Sequence, residues 1–196
     1  MTNDMLNIKV IMGSTRKGRF SEKPAAWIFE EVRKRGGVNA ELLDLRDYPM
    51  PFFDEPMSPA MIQEPYENEV VKRWTGKIAE ADGFIVIAPE YNHGYPAVLK
   101  NAFDYVYKEW GMKPVTYVAY GSSGGARSVE QLRQVAVELQ MAPLRNAIHI
   151  PGEKVFPVIM GQADAGELFS GLAKPADTLI EELLLWARVL KDARNK

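Results

Sequence analysis

The chain has 196 residues, 46% of them hydrophobic and 26% charged, which suits one soluble domain with a proper core and is short for two. A net charge of −2 gives no footing to nucleic acid or an anionic membrane as a partner. The absence of cysteine excludes disulfides, thiolate catalysis and cysteine-held zinc or iron–sulfur clusters, and with only His93 and His149 as imidazoles no metal site is expected.

No apolar run approaches membrane-spanning length, and "MTNDMLNIKV" lacks the basic and apolar parts of a signal peptide, so a cytoplasmic setting is expected. The first strand reads as "IKVIMG" (8–13), and a helix follows Ser21 with Ala25, Ile28, Phe29 and Val32 on one face. Ser21 is placed to cap that helix, and Pro24 is tolerable in its first turn. Gly36 and Gly37 end it, and "AELLDL" (40–45) is a second strand. The stretch 49–65, "PMPFFDEPMSPAMIQEP", has no clean period, yet it is too apolar for a free linker and is expected to lie against something.

Val71, Trp74 and Ile78 mark a second helix, and the almost wholly apolar "GFIVIAPEY" (83–91) a central strand buried on both faces. Pro96 opens a third helix bearing Leu99, Ala102, Phe103 and Val106, and "KPVTYVAYG" (113–121) is the fourth strand. A fourth helix carries Val129, Leu132, Ala136 and Leu139. "RNAIHI" (145–150) is the fifth strand, and Ile180, Leu183, Leu184 and Ala187 belong to a last helix. Five strands alternating with five helices predict an α/β domain over 1–196, a doubly wound parallel sheet with helices on both faces.

Three loops leave the carboxyl ends of strands, where such sheets bind ligands. "GSTRKGRFS" (13–21) has the two glycines of a triphosphate-binding loop, but Arg19 and Phe20 stand where lysine and a hydroxyl residue are needed. A dinucleotide fingerprint fails on spacing as well. What remains is the hydroxyls of Ser14, Thr15 and Ser21, the cations Arg16, Lys17 and Arg19, and backbone N–H groups at a helix N-terminus, which together suit one monophosphate. The bland alternative is an ordinary polar turn.

"PEYNHGYP" (89–96) offers Tyr91 as a flat face and Gly94 for close approach, although Tyr91 and Tyr95 could merely cover the sheet edge, and His93 reads best as solvated. "YGSSGGARS" (120–128) presents backbone donors and acceptors with little bulk; its competitor is a flexible turn. Phosphate, flat face and polar edge are the three parts of flavin mononucleotide, FMN.

The chain resembles the NADPH-dependent FMN reductases of the flavodoxin-like superfamily, which include quinone, azo-dye and chromate reductases. The resemblance rests on "GSTRKGRFS", "PEYNHGYPAVLKNAFDY" and "GSSGGARSVEQLR", in order and spacing over about the first 150 residues. It implies a flavodoxin-like five-stranded sheet. It also implies that Ser14, Arg16, Arg19, Phe20 and Ser21 hold the FMN phosphate, that Pro89, Glu90, Tyr91 and Asn92 run along the isoalloxazine, and that Gly121, Ser122, Gly124 and Gly125 close its pyrimidine side. Two positions depart from the family pattern: Ser21 stands where asparagine is frequent, and Arg19 where a small residue is. The second departure leaves Arg19 free for the phosphate or for the NADPH 2′-phosphate.

The resemblance further implies a homodimer or homotetramer, to which the apolar "PMPFFDEPM" (49–57) would give an interface or a lid; a core-covering loop is the alternative. In this reading NADPH or NADH is the co-substrate, a small molecule such as a quinone, azo dye, flavin or metal oxyanion is the acceptor, and the order is ping-pong. The cofactor carries the chemistry, so no side chain is assigned as catalytic. The competing reading is a non-enzymatic FMN electron carrier or flavin-dependent interaction module, against which the modest net charge argues. A hydrolase would need a G-x-S-x-G elbow, which the sequence lacks.

Overall fold

In the computed structural model the residues described are 5–62 and 66–196, so the last three positions of the 49–65 stretch and the first four residues of the chain lie outside them. The β-branched runs form a parallel sheet of β1 (Leu6–Met12), β2 (Val38–Asp44), β3 (Gly83–Pro89), β4 (Pro114–Gly121), β5 (Ala142–Pro143) and β6 (Ile148–Pro151). Its order is β2-β1-β3-β4-β5, with β6 also pairing β4. This is the flavodoxin-like order, whose direction reverses between β1 and β3.

The expected fifth strand (145–150) is thus two short pieces on one edge. Pro143 has no N–H for a ladder, and the chain detours through 144–147, where Thr116 donates its hydroxyl to the Asn146 carbonyl at 2.6 Å.

Helices α1 (Glu22–Arg33) and α7 (Ala173–Arg194) cover one face, and α2 (Glu69–Glu80), α3 (Ala97–Asp104) and α4 (Ala126–Glu138) the other. Alternation sends Val86, Ala88, Val115, Tyr117 and Ala119 toward Trp74 and Leu132, and sends Ile8, Val10, Ile85, Ile87 and Val118 toward Ile28, Ile180 and Leu183. The expected helix faces are buried, except that Phe29 and Leu184 are only half-buried, and Val106 packs in the core beyond the end of α3.

Two helices exceed the five expected: α5 (Gly152–Ile159) and α6 (Ala165–Ser170). The stretch 51–53 lies over α3 without regular structure. Asn101 holds it at two points, donating to the Pro51 carbonyl at 2.7 Å and accepting from the Phe53 N–H at 2.9 Å, while Phe53 meets Tyr105 edge to face. No helix among the described residues is long and apolar enough to cross a membrane.

Candidate functional site

Loop 13–21 leaves the buried end of β1 at Gly13, whose N–H donates to the Ile87 carbonyl at 3.0 Å. A Cβ there would sit 2.7 Å from that oxygen, so only glycine lets β1 pass β3 this closely. Ser14 is buried and its hydroxyl lies 2.9 Å from that of Tyr91, whereas residues 15–18 are exposed. Arg16 and Lys17 form no ion pair among the described residues. At the far end Phe20 is buried edge to face on Tyr120, and the Ser21 hydroxyl lies 2.6 Å from the Tyr120 phenol. Burial pushes that phenol up to about 12, so it is neutral at physiological pH.

Two expectations need correction. Ser21 precedes α1 but makes no side-chain cap bond, because its hydroxyl is taken by Tyr120. Arg19 is not free: it is 6% exposed, its guanidinium forks onto the Asp44 carboxylate, and it donates to the Ser14 carbonyl. Its Nε reaches Glu22 at 3.1 Å. Burial alone would push Asp44 up, but the hydrogen bonds of Arg19 and the Arg46 N–H outweigh it and hold the carboxyl below its usual range. Chiefly through the hydrogen bond to Asp44, the Arg19 guanidinium is raised in turn. The charge this loop leaves for a ligand is therefore that of Arg16 and Lys17.

The second loop is stiffer than its composition suggests. Tyr91 and Gly94 exchange two backbone hydrogen bonds, at 2.8 and 3.0 Å, around Asn92 and His93, both with positive φ. This is a two-residue turn with left-handed central residues, a conformation asparagine accepts readily. Glu90 is held from the third loop side, accepting from the Arg127 side chain at 2.6 Å and its N–H at 3.2 Å, and Pro89 accepts from the Ser128 hydroxyl at 3.1 Å.

In the third loop Gly124 and Gly125 have φ of 68° and 73°. A Cβ on Gly125 would lie 2.6 Å from that of Ala119 and 2.7 Å from the Tyr120 nitrogen, so the start of α4 lies directly on β4. The Gly121 backbone passes Glu90 so closely that a Cβ would meet its side chain at 2.9 Å. Ser122 is exposed beside them, and His149 Nδ1 lies 3.1 Å from the Gly124 carbonyl.

The three loops sit on β1, β3 and β4, which are neighbours in the sheet, and they are bonded to one another: Ser14 to Tyr91, Ser21 to Tyr120, and the Glu90 N–H to the Tyr120 carbonyl at 2.9 Å. Tyr120, Asp44, Arg46, Arg127 and His149 had no assigned place in the sequence reading. A tyrosine at the end of an apolar strand, directly before a loop that holds three glycines, was the one readable signal. A cavity of about 320 Å³ lined by Thr15, Arg46, Tyr48, Met50, Val98 and Asn101 opens beside the first loop. Among the described residues no group of three His, Asp or Glu side chains could hold a metal ion. The donor set is of a kind that suits FMN: exposed residues 15–18 with two cations that form no ion pair among the described residues, and glycine backbone beside them.

The family profile of NADPH-dependent FMN reductases matches residues 6–154. An NAD(P)H-dependent FMN reductase of Schizosaccharomyces pombe is 40% identical over 158 residues, 80% of this chain and 79% of that protein. A quinone reductase of Escherichia coli K12 is 32% identical over 143 residues, 70% of this chain and 72% of its own length. Among solved structures, the flavoenzyme NAD(P)H:(acceptor) oxidoreductase FerB of Paracoccus denitrificans aligns over 94% of this chain and 98% of its own, with a TM-score of 0.71 at 20% identity.

Proposed function

The chain belongs to the NADPH-dependent FMN reductase family, and we propose that it is a single-domain NAD(P)H oxidoreductase holding one FMN across its three loops and serving a small diffusible acceptor such as a quinone. The observation that carries this reading is the direct bonding of the loops through Ser14–Tyr91 and Ser21–Tyr120, which makes one seat of three separate motifs.

Arg16, the hydroxyl of Ser14 and the amides of 15–18 would hold the phosphate, with Arg19, Phe20 and Ser21 supporting them from inside. Pro89, Glu90, Tyr91 and Asn92 would run along the ring system, and Gly121, Ser122, Gly124 and Gly125 would meet its pyrimidine edge. When bound, FMN supplies two-electron chemistry between a nicotinamide and an acceptor. The protein's part is placement. Arg127 keeps Glu90 against Gly121, and the Tyr120 phenol stays a neutral hydrogen-bonding group among the hydroxyls. A single site would serve both substrates in turn, so the oxidised nucleotide would leave before the acceptor enters. A cytoplasmic homodimer or homotetramer is the assembly that accords with this reading, and exposed Leu185, Trp186 and Val189 on α7 offer an apolar surface for it.

The test is NADPH consumption against a benzoquinone with both concentrations varied. Parallel double-reciprocal lines are expected; intersecting lines would mean that both substrates bind together. If neither NADPH nor NADH bleaches the visible absorbance of the FMN-loaded protein, the electron-carrier reading replaces this one.

A further inference from the structure

Two arginines, Arg19 and Arg46, grip the backbone that forms the proposed ligand seat. The carbonyls of Ser14, Thr15 and Arg16 are three in a row. Arg19 Nη1 donates to the first, Arg46 Nε to the second at 3.4 Å, and Arg46 Nη2 to the third at 2.6 Å. Both guanidinium groups share the Glu22 carboxylate, while Asp44 holds the Arg19 guanidinium and the backbone of Arg46. Asp44 takes the Arg19 fork and the Arg46 N–H at 2.9 Å, and one oxygen of Glu22 accepts from Arg19 Nε at 3.1 Å and Arg46 Nη1 at 3.0 Å. The cluster therefore joins the end of β2, the start of α1 and the loop between β1 and α1.

With two arginines and two carboxylates its formal charge cancels, so it adds shape to the loop rather than potential. An anion seat of backbone amides works when the N–H groups converge and the carbonyls are held away from the anion. A carbonyl that swings inward presents its negative end to the phosphate.

We propose that Arg46, together with Arg19, is a positioning residue that holds the carbonyls of residues 14–16 away from the phosphate, so that the affinity of the loop for a phosphate ester depends on a side chain that does not touch it. This rests on the reading that loop 13–21 holds the FMN phosphate.

Arg46 is the arginine to change, because its side chain is 37% exposed, whereas removing the buried Arg19 would strand Asp44. Flavin-free protein is titrated with FMN and with riboflavin, which differ only in the phosphate, for the wild type, Arg46→Ala and Arg46→Lys. Arg46→Ala is expected to weaken FMN about tenfold and to leave riboflavin within about twofold, since the bonds it removes lie at the phosphate loop and the start of α1, away from the ring-binding loops. Arg46→Lys is expected to fall between, because one ammonium cannot span Glu22 and two carbonyls as a guanidinium fork does.

A wild-type preference for FMN that survives Arg46→Ala would overturn the inference, and so would an equal loss of both flavins. If the wild type itself binds FMN and riboflavin alike, the phosphate reading of the loop falls first and this inference with it.

Discussion

At the scale of single residues, the four cations near the first loop divide into two kinds. Arg19 and Arg46 are committed to carboxylates and carbonyls, while Arg16 and Lys17 stand exposed with no ion pair among the described residues. A charge-assisted hydrogen bond to phosphate contributes about 1.5–3 kcal/mol, so Arg16→Ala is expected to weaken FMN binding by roughly 10- to 100-fold. Riboflavin affinity should be unchanged; a parallel loss of both would make Arg16 a support of the loop instead. Gly125 is a second sensitive point, for a different reason. Its φ of 73° and the 2.6 Å approach of a Cβ to Ala119 mean that Gly125→Ala must move α4 away from β4. A loss of about 1–3 kcal/mol in urea unfolding is expected, with FMN affinity reduced as well because the third loop moves with α4. An unchanged unfolding midpoint would show that the loop relaxes without cost.

At the scale of elements, what the sequence disclosed depended on the range of the interaction that specifies each part. The central strands and the main helices were legible because their patterns repeat locally, and the glycine loops because left-handed backbone is a local demand of φ. Helices α5 and α6 were not, since Pro157 sits inside one and Gly161, Gly166 and Gly171 punctuate the rest of a short region. Arg19 was misjudged because its partner Asp44 is 25 positions away, and Ser21 because Tyr120 is 99 away. Nothing local announces such pairs.

The end of α2 belongs to the same class and gives a pH dependence. Buried Lys113 donates to the carbonyls of Ile78 and Ala79 at 2.8 and 3.0 Å, and burial lowers its pKa from 10.5 to about 8. Between those values the unfolded chain binds a proton that the native state has released, so stability rises with pH from about 8 toward 10, by an order of 1–3 kcal/mol. Above pH 10 two tyrosines reverse the slope. Tyr66 and Tyr120, both raised to about 12 by burial, keep their protons in the native state while the unfolded chain loses them. Urea midpoints across this range should pass through a maximum near pH 10, and Lys113→Met should remove the rising limb while leaving the fall. A rising limb that persists in that variant would assign it to another group.

At the scale of the whole molecule, the proposed seat lies on β1, β3 and β4, the middle of the sheet, with helices from both faces beginning at its rim. A ligand bound there exists only when the central strands are paired, so its binding free energy adds to global stability rather than to one loop. At free FMN a hundredfold above Kd the gain is about 2.7 kcal/mol, which for a chain of this length raises Tm by roughly 5–10 °C. Riboflavin at the same concentration should raise it less, by the share that the phosphate contacts contribute. The apolar residues Leu185, Trp186 and Val189, exposed on α7, add a second dependence. If two copies cover them in solution, Tm must also rise with protein concentration, with or without flavin, because association stabilises the folded state by mass action. Melting curves at two protein concentrations, each with and without FMN, separate the two effects. A flavin shift without a concentration shift would leave α7 facing solvent and assign the stabilisation to the ligand alone.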